Sequence, residues 1–137
     1  MRLFNVNGKL ASKNVTSFLI KWDKKSCSIA QTDVKKFLYP YWKNNIVYEE
    51  FPVYGTQLRV DILNATRKIA VEVHGPQHED FHYFHNNSRA AFLKGIKNDE
   101  IKSQWLLKNN YQQIIIYTKE INELSAKFFL DKFGITL

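Results

Sequence analysis

Cysteine is nearly absent from the 137-residue chain. Cys27 is its single thiol, so no intrachain disulfide can form and a reducing compartment is the natural setting. No apolar run approaches the ~20 residues that a membrane-spanning helix needs, and no basic-then-apolar leader opens the chain. The expectation is a cytoplasmic protein with no membrane partner. Repeats, low-complexity tracts and linkers are also missing, so the chain reads as one globular domain, with a small β appendage over residues 1–24 and an α/β body over 25–137. Acidic charge is in deficit: 20 Lys plus Arg against 13 Asp plus Glu leave a formal +7, which favours a polyanion partner through phosphate neutralisation and counterion release. A hydrophobic share of 45% and an aromatic share of 15% exclude a disordered chain.

What is present reads as alternating helices and strands. Asn7-Gly8 is a turn signal between Arg2-Leu3-Phe4-Asn5-Val6 and Lys9-Leu10, and Val15 to Trp22 adds a further apolar run. This appendage is expected to cover a sheet edge or to form a contact in a homodimer. Ser28 suits a helix cap ahead of Ile29, Val34, Phe37, Leu38 and Tyr41 at helical spacing, and Pro40 should end or kink that helix. Residues 46–53 read as a strand and Tyr54-Gly55-Thr56 as a turn. A long helix is expected from Ser88 to Asn110, with Phe92, Leu93, Ile96, Ser103, Leu106 and Leu107 on one stripe, Asp99 at its margin, and Ile101 and Trp105 on the opposite side. A buried strand over 111–117 and an amphipathic helix over 119–133, capped by Gly134, complete a mixed sheet flanked by helices.

Between the first helix and the long one lies the most informative stretch. Arg59-Val60-Asp61-Ile62-Leu63 and Lys68-Ile69-Ala70-Val71-Glu72-Val73-His74, joined by Asn64-Ala65-Thr66-Arg67, form a β-hairpin pattern. Pairing Ile62 with Ile69 and Val60 with Val71 buries one apolar face and leaves Arg59, Asp61, Ala70, Glu72 and His74 on the other. Asp61 and Glu72 then become diagonal neighbours about 7–8 Å apart at the backbone, close enough to share a hard cation such as Mg²⁺ or Mn²⁺. Glu49 and Glu50 alternate faces, so one of them, Glu50, is held as a further carboxylate. His74, His78, His82 and His85 have a spacing that admits zinc, but Pro76 breaks the element and no cysteine joins them. An active-site loop in which Phe81, Tyr83 or Phe84 stacks on bases competes with a small aromatic core beneath the loop.

Asp61, a turn, then Glu72-Val73-His74 resembles the D…(D/E)-x-K core of the PD-(D/E)XK nucleases, and Glu72-x-His74-Gly75-x-x-His78 resembles the branch that holds very short patch repair and phage homing endonucleases. The resemblance spans about residues 28 to 117. It implies a restriction-endonuclease-like α/β fold and a Mg²⁺- or Mn²⁺-dependent endonuclease acting on duplex or branched DNA, in a bacterial or phage-infected cell. Asp61, Glu72 and the Val73 carbonyl are its implied metal ligands. His74 stands where the family has Lys, and Val60 where it has Pro. His78 is an implied second proton carrier or phosphate contact, Gln31 takes the place of a helix acid with Asp33 nearby, and Asp99 with Lys102 fits an acidic-basic pair on the long helix. Arg59 faces the site as an electrostatic clamp, and Lys35, Lys36, Arg67, Arg89 and Lys94 are candidates for backbone positioning. A DNA-binding protein on an inactive nuclease scaffold and an RNA-processing nuclease are the competing expectations.

Overall fold

The computed structural model describes residues 1–75 and 89–137. His78, Phe81 and Tyr83 therefore lie outside the described residues, as do the other two members of the four-histidine pattern.

Local chemistry sets the element boundaries. Asn5 Oδ1 accepts from the Asn7 and Lys9 amides and Gly8 adopts φ +85°, so β1 (Arg2–Phe4) turns back onto β2 (Leu10–Ser12) as a two-stranded antiparallel sheet. The Ser28 side chain accepts from Gln31 N and starts α1 (Ile29–Trp42), a cap worth about 1 kcal/mol. Pro40 does not end this helix. It removes one hydrogen bond close to the C-terminus, where the full burial of Trp42 offsets the loss.

Three antiparallel strands follow, β3 (Val47–Pro52), β4 (Arg59–Asn64) and β5 (Ile69–His74). The long helix α2 (Arg89–Lys108) leads to β6 (Gln112–Tyr117), which pairs parallel to β5, so the main sheet is mixed with order β3-β4-β5-β6. Leu19 bridges Tyr48, and Ile20 N donates to Val47 O at 3.0 Å, so the segment after β2 covers the β3 edge. The expected closing helix is divided. Residues Thr118–Glu123 form a 3-10 turn, and Ser125 caps a separate α3 (Ala126–Phe133) by accepting from Phe128 N. Gly134, at φ +69°, ends α3 as expected.

Both sheet faces are buried. Trp42, Leu38 and Val34 of α1 meet Ile62, Ile69, Val71, Ile114 and Phe129 on one side. Trp105 and Leu106 of α2, with Leu3, meet Phe51, Val60, Leu63 and Ala70 on the other. The buried side of α2 therefore differs from the expected stripe: Trp105 is enclosed, whereas Leu93, Ile96 and Leu107 are exposed. The appendage accounts for the difference. Trp105 Nε1 donates to Phe4 O at 2.7 Å, and Asn109 both accepts from Phe4 N and donates to Phe4 O, which pins β1 across α2.

The hairpin register also differs from the expected one. Ile62 pairs with Val71, and Asn64 pairs with Ile69. The buried Asn64 side chain accepts from Arg67 N and donates to Asn45, which extends β4 by one residue and tightens the turn. Val60 and Ile62 do not share a face either, since Val60 packs on the α2 side and Ile62 on the α1 side. A switch also occurs on the paired strand, where Glu50 takes φ +53° between Glu49 and Phe51.

Candidate functional site

The shifted register, with the face switch between Val60 and Ile62, leaves Asp61 and Glu72 side by side. Continuing the Ile62–Val71 pairing by one step sets them directly across from each other rather than on a diagonal. The strands part there, and Asp61 Oδ2 accepts from Val73 N at 2.8 Å in place of a strand carbonyl. The fork of β4 and β5 is thus closed by a carboxylate.

Glu72 is buried on the α2 side, with 2% exposure. Burial is the larger cause that lifts its carboxyl well above the ordinary range, and the Asp61 charge adds to it. Burial raises Asp61 too, opposed by its bond from Val73 N and by the Lys102 charge. Two acids in contact at low dielectric cannot both ionise freely. Burial and mutual repulsion favour a proton shared by the pair, and the Lys102 ammonium opposes this.

Lys102 is the cation at this pair. Its Nζ lies 3.2 Å from Glu72 Oε1, an ion pair that is the cationic contact of this buried oxygen. Two adjacent carboxylates are the kind of donors a hard divalent ion would use, with Asp61 and Glu72 as its acidic ligands, although Lys102 already balances Glu72. Among the described residues no three His, Cys, Asp or Glu side chains converge on a common metal position. Sequence reasoning placed Lys102 only as the companion of Asp99. The i, i+3, i+4, i+7 spacing of Lys102, Trp105, Leu106 and Asn109 was the signal that puts it on the inner face.

Next to the pair lies a polar cluster that joins α1 to β3. The amide of the buried Gln31 donates to Glu49 Oε2 at 2.9 Å and to Glu50 Oε1 at 3.1 Å, so both glutamates reach one side chain despite strict strand alternation. The left-handed Glu50 backbone makes this possible. Glu50 also raises Asp61 through its charge, which ties this cluster to the acid pair. Lys35 is buried, with Nζ 3.0 Å from Glu49 Oε1 and 2.7 Å from Lys24 O. It holds the fold and does not face solvent as a phosphate contact. Cys27 Sγ lies 3.3 Å from Glu50 Oε1, and burial followed by that carboxylate pushes its thiol up to about 11.

The chain is 30% identical over 90 residues, 64% of its length, to Uncharacterized protein 033L of Invertebrate iridescent virus 3, and spans 46% of that protein. No family model matches the chain, and no solved structure matches it.

The remaining expected residues are dispersed. His74 is buried two residues beyond Glu72, with its ring edge-on to Tyr117 at 6.1 Å. Asp99 is half-buried, and its carbonyl accepts from Ser103 Oγ at 3.0 Å. Arg59 is exposed at the start of β4, two residues from Asp61, and Arg67 is exposed in the β4–β5 turn at the other end of the hairpin. Arg89 and Lys94 are exposed on the first turns of α2, and Lys36 is exposed on α1.

Proposed function

We propose that this protein is a metal-dependent endonuclease of the PD-(D/E)XK type that hydrolyses phosphodiester bonds in DNA. The observation that carries the reading is the pairing of half-buried Asp61 with buried Glu72 at a strand fork, with the Lys102 ammonium against Glu72. Two carboxylates and one ammonium leave a net negative charge in the interior, which a further cation would neutralise. Asp61 and Glu72 would hold Mg²⁺ or Mn²⁺, and the bound ion would supply Lewis acidity and charge neutralisation toward a phosphodiester.

The chain's own groups divide the remaining work. Lys102 supplies the fixed positive charge that the family motif carries two residues after its second acid, where this chain has His74. Its ammonium sits where it can balance charge that develops on a phosphate drawn to the pair. Asp61 is oriented by the Val73 amide, and Glu72 must release its proton before the pair can take a cation. Gln31 fixes the two β3 glutamates and so keeps further negative charge beside Asp61. The formal +7 of the whole chain favours a nucleic-acid substrate over a small phosphoester.

The deciding experiment incubates supercoiled plasmid and branched junctions with the protein in Mg²⁺, Mn²⁺ or chelator, beside Glu72→Gln. Expected is nicking in either metal that is lost in chelator and in the variant. Cutting that persists in chelator sinks the metal mechanism. Tight DNA binding without cutting under any divalent ion favours instead a DNA-binding protein on an inactive nuclease scaffold, a reading to which a glutamine at position 31 lends support.

A further inference from the structure

Three cavities open along the segment 17–28 and the adjoining face of α1. The first, about 510 Å³, is lined by Ile20, Lys21, Trp22, Asp23 and Tyr39. A second of about 230 Å³ is lined in part by Lys21, Lys24, Lys25, Glu49 and Glu50, and a third of about 330 Å³ in part by Lys25, Ser28, Asp33 and Lys36. Lys21 belongs to the first two and Lys25 to the last two, so the three are stations along one trough. Its middle station reaches Glu50, which sits across β3–β4 from Asp61 between the Glu49–Ile62 and Phe51–Val60 pairs. The middle station therefore adjoins the proposed cutting site.

We propose that this trough binds an unpaired stretch of the substrate strand, with phosphates on Lys21, Lys24 and Lys25 and a base against Trp22 and Tyr39. The inference rests on the nuclease reading of the acid pair and gives it a substrate class: DNA with single-stranded character beside the cleaved bond. Two independent features carry it. The lysine-bearing loop is built rather than loose, because buried Lys35 donates to Lys24 O, Ser26 N donates to Thr32 Oγ1 at 2.9 Å, and Ser26 Oγ donates to Glu49. Lys21, Lys24 and Lys25 are exposed on that fixed loop, while the charge of Glu49 is balanced by Lys35. The far station, in contrast, is aromatic: Trp22 and Tyr39 meet edge-on at 5.6 Å, and Tyr39 remains 46% exposed. A duplex keeps its base faces stacked inside and offers such a station nothing but its backbone. Unpaired nucleotides offer a flat face to the rings and phosphates at regular intervals to the lysines.

The test titrates the full chain in chelator with a single strand, a blunt duplex and a duplex bearing a single-stranded tail, all of matched length. Single strand and tailed duplex are expected to bind about tenfold or more tighter than blunt duplex, in line with base–aromatic stacking. Trp22→Ala should abolish that preference and Trp22→Phe should keep most of it, with thermal melting as the control for folding. Trp42 and Trp105 are fully buried, so quenching of tryptophan emission by the single strand should vanish in Trp22→Phe. Replacing Lys21, Lys24 and Lys25 together with Gln should reduce the salt slope of single-strand binding by about 2. Equal affinity for blunt duplex and single strand, or quenching that survives in Trp22→Phe, overturns the proposal. A native chain that cuts plasmid in Mg²⁺ yet shows no preference for unpaired strands loses the trough and keeps the nuclease reading. A chain that prefers unpaired strands but never cuts keeps the trough as a binding groove and loses the nuclease reading.

Discussion

Lys102 Nζ stands 3.2 Å from Glu72 Oε1, so a helix facing the sheet supplies the charge that the strand sequence Glu72-Val73-His74 leaves out. Glu72 is consequently poised between two neighbours of opposite sign, Asp61 and Lys102, and their balance decides when it ionises.

Lys102→Met tests that balance. Removing the ammonium leaves Glu72 with only the Asp61 charge, so its carboxyl rises further and the pH profile of cleavage moves to higher pH. Activity at neutral pH should fall by about 100-fold or more, the scale of losing one charge-stabilising group. DNA affinity measured in chelator should change little. A profile that stays in place would separate Lys102 from the acid pair.

Stability should vary with pH in the sense opposite to most carboxylates. Asp61 and Glu72 both have folded-state pKa values above the unfolded ones, so the folded state binds more protons. Their contribution is therefore most favourable below the unfolded values and is lost as pH rises through the raised ones. Asp61→Asn retains an acceptor for Val73 N and removes a charge, and is expected to raise the melting temperature at neutral pH by roughly 2–4 °C while abolishing cleavage. Mg²⁺ should raise the melting temperature of the native chain at pH 8 and not at pH 4. Calorimetry across that range reads both effects.

The hairpin and its two acids were legible because two β-branched runs flanking a turn bring Asp61 and Glu72 to neighbouring strands, even though alternation breaks between Val60 and Ile62. What alternation did not reveal was the register itself. That depends on Asn64, a polar residue that reads as turn material and is instead fully buried and bonded to Asn45. The joint reach of Glu49 and Glu50 was hidden for a similar reason, since a pattern argument assumes ordinary backbone angles and Glu50 departs from them. On α2 the apolar residues Leu93, Ile96 and Leu107 drew the stripe away from its true side, because β1 covers a face that carries Trp105 and Asn109. The mixed sheet, the flanking helices and the small N-terminal sheet followed from propensity, caps and turns, where local chemistry and the global fold agree.

Lys35→Met removes the buried cation of this ion pair and leaves the Glu49 charge with only the neutral donors Gln31 and Ser26. A loss of about 3–5 kcal/mol is expected in urea unfolding, the cost typical of breaking such a pair from one side. Replacing Lys36, one residue along and exposed, should leave stability within about 0.5 kcal/mol of the native chain. Equal effects would show that Lys35 does not anchor the loop.

Asn109→Leu should weaken the docking of β1 on α2. The side chain both donates to and accepts from the Phe4 backbone; in the variant Phe4 O keeps the Trp105 indole while Phe4 N loses its acceptor, a loss of about 1 kcal/mol. Hydrogen exchange should show faster opening at Phe4 than at Ile62 in the variant. Uniform acceleration across the main sheet would mean that the appendage and the sheet unfold as one unit.

The left-handed backbone at Glu50 carries a cost that glycine would not bear. A side chain in that conformation costs about 1 kcal/mol relative to glycine. Glycine is one mutational step away from the glutamate codons and would relax the strand at once, while deleting a charge beside Asp61. Glu50→Gly should therefore yield a sturdier protein with a less acidic neighbourhood around Asp61.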